Sequence, residues 1–173
     1  MLCAMPSRLA GLPSTWKAGR FGKWLEGARD WSISRQRFWA SCMPLWVCEC
    51  GAQLVVGSRQ ALEEKSGKQV TDLHKHVLDG IVIPCEQCGG EMRRVPDVLD
   101  TWFDSGSMPY ASKHFMGGNE GPEGFPADFI AEMVEQSRTW FYYLHILGTA
   151  LFDTPAFHHA SATGVILAAD GKR

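Results

Sequence analysis

Two tight pairs of cysteines constrain this chain more than any other feature. They are Cys48-Glu49-Cys50-Gly51 and Cys85-Glu86-Gln87-Cys88-Gly89-Gly90. Each pair sets two thiols on one tight turn. Glycine after each pair lets backbone amides point at sulfur, and Gly89-Gly90 supplies the positive φ that the tight turn after the second pair needs. Zinc takes four ligands in a tetrahedron, with Zn–S bonds of about 2.3 Å. The spacing therefore predicts a zinc ribbon held by Cys48, Cys50, Cys85 and Cys88. The first pair has the less usual C-x-C spacing, and reduced free thiols in a hairpin without metal are the alternative. His74 and His76 lie between the pairs. They read as solvated surface histidines, with replacement of one cysteine ligand as the other reading. Cys3 and Cys42 stand alone and read as small core or surface residues rather than nucleophiles.

The N-terminus, MLCAMPSRLAGLPSTWKAG, is short, weakly basic and broken by two prolines. It lacks the apolar stretch of a secretory signal. No run of about 18 apolar residues suggests a membrane span. A cytoplasmic setting is expected, where paired cysteines favour metal over disulfides. Hydrophobic residues make up 45% and charged residues 21% of the 173, which suits a packed domain rather than a disordered chain. The net charge of −2 offers no basic field for a free-standing nucleic-acid-binding module.

Hydrophobic periodicity organises the rest. Residues 1–18 read as irregular. Phe21, Trp24, Leu25 and Ala28 share one face of a short helix. Asp30 to Trp39 has no clean period and reads as a turn into a helix or an irregular active-site segment. Met43 to Val56 predicts a strand into the first knuckle and a return strand. Ser58 to Lys65 predicts a helix with Ser58 as its N-cap. Ile81 to Ile83 and Met92 to Val95 read as strands around the second knuckle. Val98 to Phe103 reads as a strand, followed by a glycine- and proline-rich loop from Met116 to Pro126. Ala127 to Ile130 predicts a strand. Glu135 to Phe152 predicts the strongest helix, with Trp140, Tyr143, Leu144, Leu147 and Leu151 on one face. Ala160 to Leu167 predicts the next strand. Strand, helix and strand with a long crossover form a parallel α/β pattern. The expected organisation is a catalytic-domain segment over 19–42, a zinc-ribbon-like insert over 43–96, and an α/β segment over 97–173.

Two tracts are unusual for plain core. DVLDTWFDSGSMPY (Asp97 to Tyr110) sets Trp102 and two carboxylates at the carboxyl end of a predicted strand. FPADFIAEMVEQSRTWFYYLH (Phe125 to His145) sets Glu132, Glu135, Gln136 and Arg138 where a strand hands over to a helix. Ligands of open α/β sheets bind at that end. Carboxylates there suit ribose hydroxyls, and tryptophans suit an apolar side chain or an adenine face. The bland alternative keeps both tryptophans in the core and the charges as solvated helix ends. No P-loop, dinucleotide-binding glycine motif or nucleophile–base constellation is present.

The tracts GRFGKWLEGARDWSISRQRFW, DLH after the first knuckle, DVLDTWFDSGSMPYA, FPADF and LFDTPAF…GVILAADGK together resemble isoleucyl-tRNA synthetases, from about Gly19 to Arg173. WFDSGSMPYA points to the isoleucine rather than the valine enzymes, which tend to read WFSS. The resemblance implies part of a Rossmann-like class I synthetase catalytic domain carrying a small zinc-ribbon insert. It implies an internal segment of a longer, monomeric enzyme, lying between the editing domain and the KMSKS loop, with the upstream HIGH motif outside it. It assigns Trp102 and Trp140 to the walls of the isoleucine pocket, and Glu132, Glu135 and Gln136 to adenylate contacts, chiefly the ribose. Isoleucine, ATP with Mg2+, and tRNA(Ile) are the implied substrates, structural zinc is the implied metal, and no residue need act as a general base. The family commonly has glycine where Met133 and Thr139 stand, and aspartate where Glu135 stands. A non-catalytic zinc-ribbon binding module, an inactive gene fragment and a valyl-type enzyme are the rival readings.

Overall fold

The computed structural model describes Gly19, 21–118 and 120–172. The irregular stretch expected over 1–18, and Cys3, lie outside the described residues. The chain divides into two compact units, Trp31–Thr101 and the segments on either side of it.

The Trp31–Thr101 unit is built on a four-stranded antiparallel sheet in the order β3-β2-β5-β4, from β2 (Leu45–Cys48), β3 (Gln53–Val55), β4 (Val82–Pro84) and β5 (Glu91–Arg94). Alternation along β2 and β5 sends Trp46, Cys48, Met92 and Arg94 inward. Trp46, Val56, Leu62, Val70, Leu78, Ile81, Ile83 and Met92 fill the core, and the Trp46 indole N–H donates to the carbonyl of Ile81 at 3.0 Å. The expected helix is α2 (Arg59–Ser66). Its first turn is capped by Ser58 Oγ accepting from the Ala61 amide at 3.1 Å, and it stops at Gly67 in the left-handed region. A shorter helix, α3 (Lys75–Leu78), follows. One buried charge organises this end. The Arg94 side chain is fully buried, pairs with Asp79, and donates to the carbonyl of Asp97 at 2.8 Å and of Met43 at 3.3 Å. Lys75 adds a 2.5 Å contact to Asp79. Burial works against ionisation of Asp79, but Lys75 and Arg94 hold its carboxyl below the ordinary range.

Two short strands, β1 (Ser34–Arg35) and β6 (Val98–Leu99), pair antiparallel beside this sheet. The Asp30–Trp39 stretch is therefore irregular apart from β1. Arg35 meets the buried Asp100 at 2.8 Å. Cys42 bridges to Val98, and burial pushes its thiol pKa up, as suits an unreactive packed cysteine.

In the flanking unit, β7 (Ala127–Met133) and β8 (Phe157–Thr163) pair in parallel, joined by helix α6 (Trp140–Phe152). This is the strand–helix–strand crossover expected. Among the described residues the parallel sheet has these two strands. Helices α1 (Gly22–Glu26), α4 (Thr101–Gly106) and α5 (Met108–Ala111) complete the described elements. Phe21, Leu25, Ile130, Phe141, Tyr143, Leu144 and Phe157 form the core.

Three expectations are corrected. The strand expected over Val98–Phe103 stops at Leu99, and Trp102 and Phe103 lie on α4. Side-chain bonds back along the chain favour that helix: Ser105 Oγ donates to the Trp102 carbonyl at 3.2 Å and Ser107 Oγ to that of Asp104 at 2.6 Å. The helix expected over Glu135–Phe152 is preceded by a separate 310 turn, Val134–Arg138, and begins at Trp140. Its buried face also differs. Phe141, Tyr142, His145 and Gly148 are buried while Leu151 is 57% exposed. Neighbours cover α6 on more than one side, so a single apolar stripe does not describe it. The last strand begins earlier, at Phe157, and leaves Ile166 exposed.

Candidate metal centre and candidate adenylate site

The knuckles converge as the cysteine spacing requires. The β2–β3 turn carries Cys48 and Cys50, and the turn before β5 carries Cys85 and Cys88. All four sulfurs lie within 4.8 Å of one another. Cys48 Sγ is 3.5 Å from Cys88 Sγ, and Cys50 Sγ is 3.7 Å from Cys85 Sγ. Four sulfurs around one zinc at about 2.3 Å stand roughly 3.8 Å apart, so the donor set fits a tetrahedral soft metal. Glycines make the turns. Gly51 and Gly89 have φ of 89° and 73°, and a Cβ on Gly90 would come within 3.2 Å of Cys88 Sγ and 3.7 Å of Cys48 Sγ. The Gly90 amide points at Cys88 Sγ at 3.4 Å.

Backbone amides favour the thiolate at Cys85, while burial and the crowding of the thiols work against it at Cys48 and Cys88. The backbone amide of Cys88, working against burial and helped by that of Gln87, pulls the Cys85 thiol down to about 7. The Cys50 amide favours ionised Cys48, but burial and the neighbouring thiols outweigh it and push Cys48 up to about 12. Several thiolates this close repel, and a divalent cation removes that penalty. His74 and His76 are outside the cluster. His74 Nδ1 is 2.6 Å from Asp72 and its ring stacks on Trp39 at 4.4 Å, and both histidines are exposed.

The second constellation stands at the carboxyl end of β7. Glu132 is the penultimate residue of the strand and accepts from the Met133 amide at 3.1 Å. The 310 turn then presents Glu135 and Gln136, both half-buried, and Ser137 Oγ donates to the Val134 carbonyl at 2.8 Å inside that turn. Trp140, on the first turn of α6, donates its indole N–H to the Ser105 carbonyl at 3.1 Å. That bond ties α6 to α4, which carries Trp102, and both tryptophans pack half-buried against the same core. Glu132, Glu135, Gln136 and Trp140 thus follow one another at the carboxyl end of β7, the end where α/β sheets place ligands, and Trp102 lies on the helix bonded to Trp140. Carboxylates accept, the glutamine amide can do both, and the indoles offer apolar walls.

Sequence reasoning missed three supports of this end. Gly106 lies so close to α6 that a Cβ there would sit 2.7 Å from Tyr143 Cβ. The Arg138 guanidinium stands 5.0 Å above the Trp24 ring, which meets Tyr142 edge-on. Thr139 Oγ1 donates to Gln136 Oε1 at 2.5 Å. The i, i+3 spacing of Gln136 and Thr139 was a legible signal for the last; the first two join residues distant in sequence.

Comparison with known proteins agrees with the geometry. The profile of the family "tRNA synthetases class I (I, L, M and V)" matches residues 8–173. An isoleucine–tRNA ligase of Treponema denticola is 54% identical over 170 residues, 96% of this chain and 16% of that protein. Isoleucine–tRNA ligases of Treponema pallidum and Chlamydia trachomatis are 54% and 52% identical over 93% of the chain, covering 15% and 16% of their own lengths. The chain thus spans about a sixth of the relatives it matches. Among solved structures, the LeuRS–tRNA–LeuAMS ternary complex of Agrobacterium radiobacter K84 superposes with a TM-score of 0.56 at 22% identity, over 95% of this chain and 24% of that one, which is a likeness of fold. With the profile covering nearly its whole length, the chain belongs to the class I tRNA synthetases of the isoleucine, leucine, methionine and valine group.

Proposed function

We propose that this chain is the part of an isoleucine–tRNA ligase that carries one side of the adenylate site and a zinc ribbon. The observation behind the reading is the 54% identity to isoleucine–tRNA ligases over 93–96% of the chain. In this reading the enzyme joins isoleucine and ATP to isoleucyl-adenylate with release of pyrophosphate, then transfers the acyl group to tRNA(Ile). Trp102 and Trp140 wall the isoleucine side chain. Glu132 and Glu135 accept hydrogen bonds from the adenylate, chiefly its ribose, and Gln136 completes the contact. Mg2+ bound with ATP would neutralise charge on its phosphates, which the residues of this chain do not contact in this reading. The chemistry of these residues is positioning, which lowers the entropic part of the barrier. Apolar walls separate isoleucine from valine by only about 1–3 kcal/mol, so editing elsewhere in the protein is expected.

Cys48, Cys50, Cys85 and Cys88 would hold a structural Zn2+, and residues 43–96 would be an insert between catalytic segments 19–42 and 97–173. No described helix is long and apolar enough to cross a membrane, and a monomeric cytoplasmic enzyme fits the family. The test is isoleucine-dependent ATP–pyrophosphate exchange by the protein in its full reading frame, with valine as competitor. Exchange with isoleucine well above valine is expected. Its absence in a folded, zinc-loaded protein would leave the ribbon as a binding module and end this reading.

A further inference from the structure

We infer that Thr139 is a positioning residue whose hydroxyl locks the side-chain amide of Gln136, so that Gln136 meets its ligand as a hydrogen-bond donor. This rests on the adenylate reading of Gln136 above. Thr139 occupies the N-cap of α6, where a threonine side chain ordinarily accepts from its own helix, yet its hydroxyl makes no such bond. Oγ1 instead donates to Gln136 Oε1 at 2.5 Å. The same Oε1 accepts the Trp140 backbone N–H at 3.3 Å, so the glutamine side chain does the capping.

The Trp140 backbone N–H can only donate, so the atom it meets is the carbonyl oxygen, and the Thr139 hydroxyl, which turns to suit its partner, donates to that same oxygen and holds it. Flipping the amide would set Nε2, which can only donate, against a backbone N–H that can only donate. The flip is therefore closed. The backbone of the 310 turn holds the pair at short range, with the Thr139 amide donating to the Gln136 carbonyl at 3.2 Å.

The consequence is a division of labour at the end of β7. The carboxylate oxygens of Glu132 and Glu135 are acceptors, so they suit the hydrogen of a hydroxyl. Gln136 Nε2 can only donate, so it suits a lone pair on oxygen. A vicinal diol such as ribose offers both, and an amide of fixed orientation meets it without a rotamer search. Without the Thr139 hydroxyl, Gln136 keeps one weak backbone donor and its amide regains freedom.

The experiment is ATP–pyrophosphate exchange with ATP, 2′-deoxy-ATP and 3′-deoxy-ATP, comparing the full-length protein with Thr139→Val and Thr139→Ser. Valine keeps the shape and removes the donor; serine keeps the donor. Thr139→Val should raise the KM for ATP about five-fold, the order of one neutral hydrogen bond, and shrink the preference for ATP over the deoxy analogues. Thr139→Ser should restore both to within about two-fold, since it keeps the same donor. In a Gln136→Leu background Thr139→Val should add nothing to either readout. A general loss of packing would lower kcat and stability without moving the preference ratio. Should Thr139→Val not fold, Thr139→Ala carries the same comparison. A wild-type ratio and KM in the valine variant, or a serine variant as impaired as valine, would overturn the inference. Wild-type protein that shows no isoleucine-dependent exchange would instead take down the functional reading on which it rests.

Discussion

Replacing Gly106 by alanine should separate α4 from α6 and loosen the proposed isoleucine pocket. The added methyl would lie 2.7 Å from Tyr143 Cβ, 3.1 Å from the Tyr143 carbonyl carbon and 3.4 Å from the Leu144 amide nitrogen. Carbon atoms pack best at about 3.5–4.0 Å, so the helices must part by roughly 1 Å. Two of the three neighbours are backbone, so no side-chain rotation relieves the clash. Overpacking of this kind costs about 1–3 kcal/mol. The displacement acts directly on the bond from Trp140 to the Ser105 carbonyl and on Trp102, which rides on α4. A misplacement of about 1 Å in a positioning element can cost up to 100-fold in rate, so kcat/KM for isoleucine should fall by about 10-fold or more. Isoleucine and ATP titrations in pyrophosphate exchange check this, with the KM for isoleucine moving more than that for ATP. An alanine variant with wild-type stability and a wild-type KM for isoleucine would refute the packing argument and with it the pocket role of the α4–α6 contact.

Other perturbations probe other parts. Cys85→Ser should abolish stoichiometric zinc, read by metal analysis of purified protein, and expose the ribbon strands to hydrogen exchange, because the metal's binding energy is folding energy for so small a unit; retention of one zinc per chain would show that the four sulfurs are not the ligands. Asp79→Asn should cost the ribbon about 1–2 kcal/mol, less than the ~3–5 of a fully buried pair because Asp79 is partly in water. Its carboxyl is depressed in the folded state, so the wild-type advantage should be complete above the unfolded value of about 3.9 and vanish as pH falls through the folded one. Hydrogen exchange in β5 measured across that range checks the sign; a difference that grew toward acid would contradict it. Trp24→Leu removes the ring beneath Arg138, and should destabilise the 310 turn by about 1 kcal/mol while leaving zinc content unchanged; a zinc loss would show that the substitution acts through global unfolding.

The cysteine centre was legible because its determinants are local. Two knuckles with following glycines need only a sheet that returns one turn to the other, and the alternating Leu45–Cys48 and Glu91–Arg94 segments supply it. The Ser58 cap and the β7–α6–β8 crossover were legible for the same reason: caps and periods are written within a few residues. Trp102 was misplaced because Val98 to Phe103 is rich in residues that favour strands, a weak preference that tertiary packing overrides. The helix that carries it packs at Gly106 against Tyr143, 37 residues away, a contact no local pattern announces. The exposed Leu151 has a related cause, since helix periodicity says that a face is apolar but not how many sides neighbours will cover.

Family membership, the two cysteine pairs that converge and the identity of the carboxylates at the end of β7 follow from the order of residues alone, since chemistry there resides in side-chain type and spacing. What only the tertiary structure decided is how those groups are held. The Trp140–Ser105 bond, the Arg138–Trp24 stack and the buried Arg94–Asp79 pair join residues between 15 and 114 positions apart. No local pattern encodes such contacts, because each depends on two distant backbones arriving at the same place.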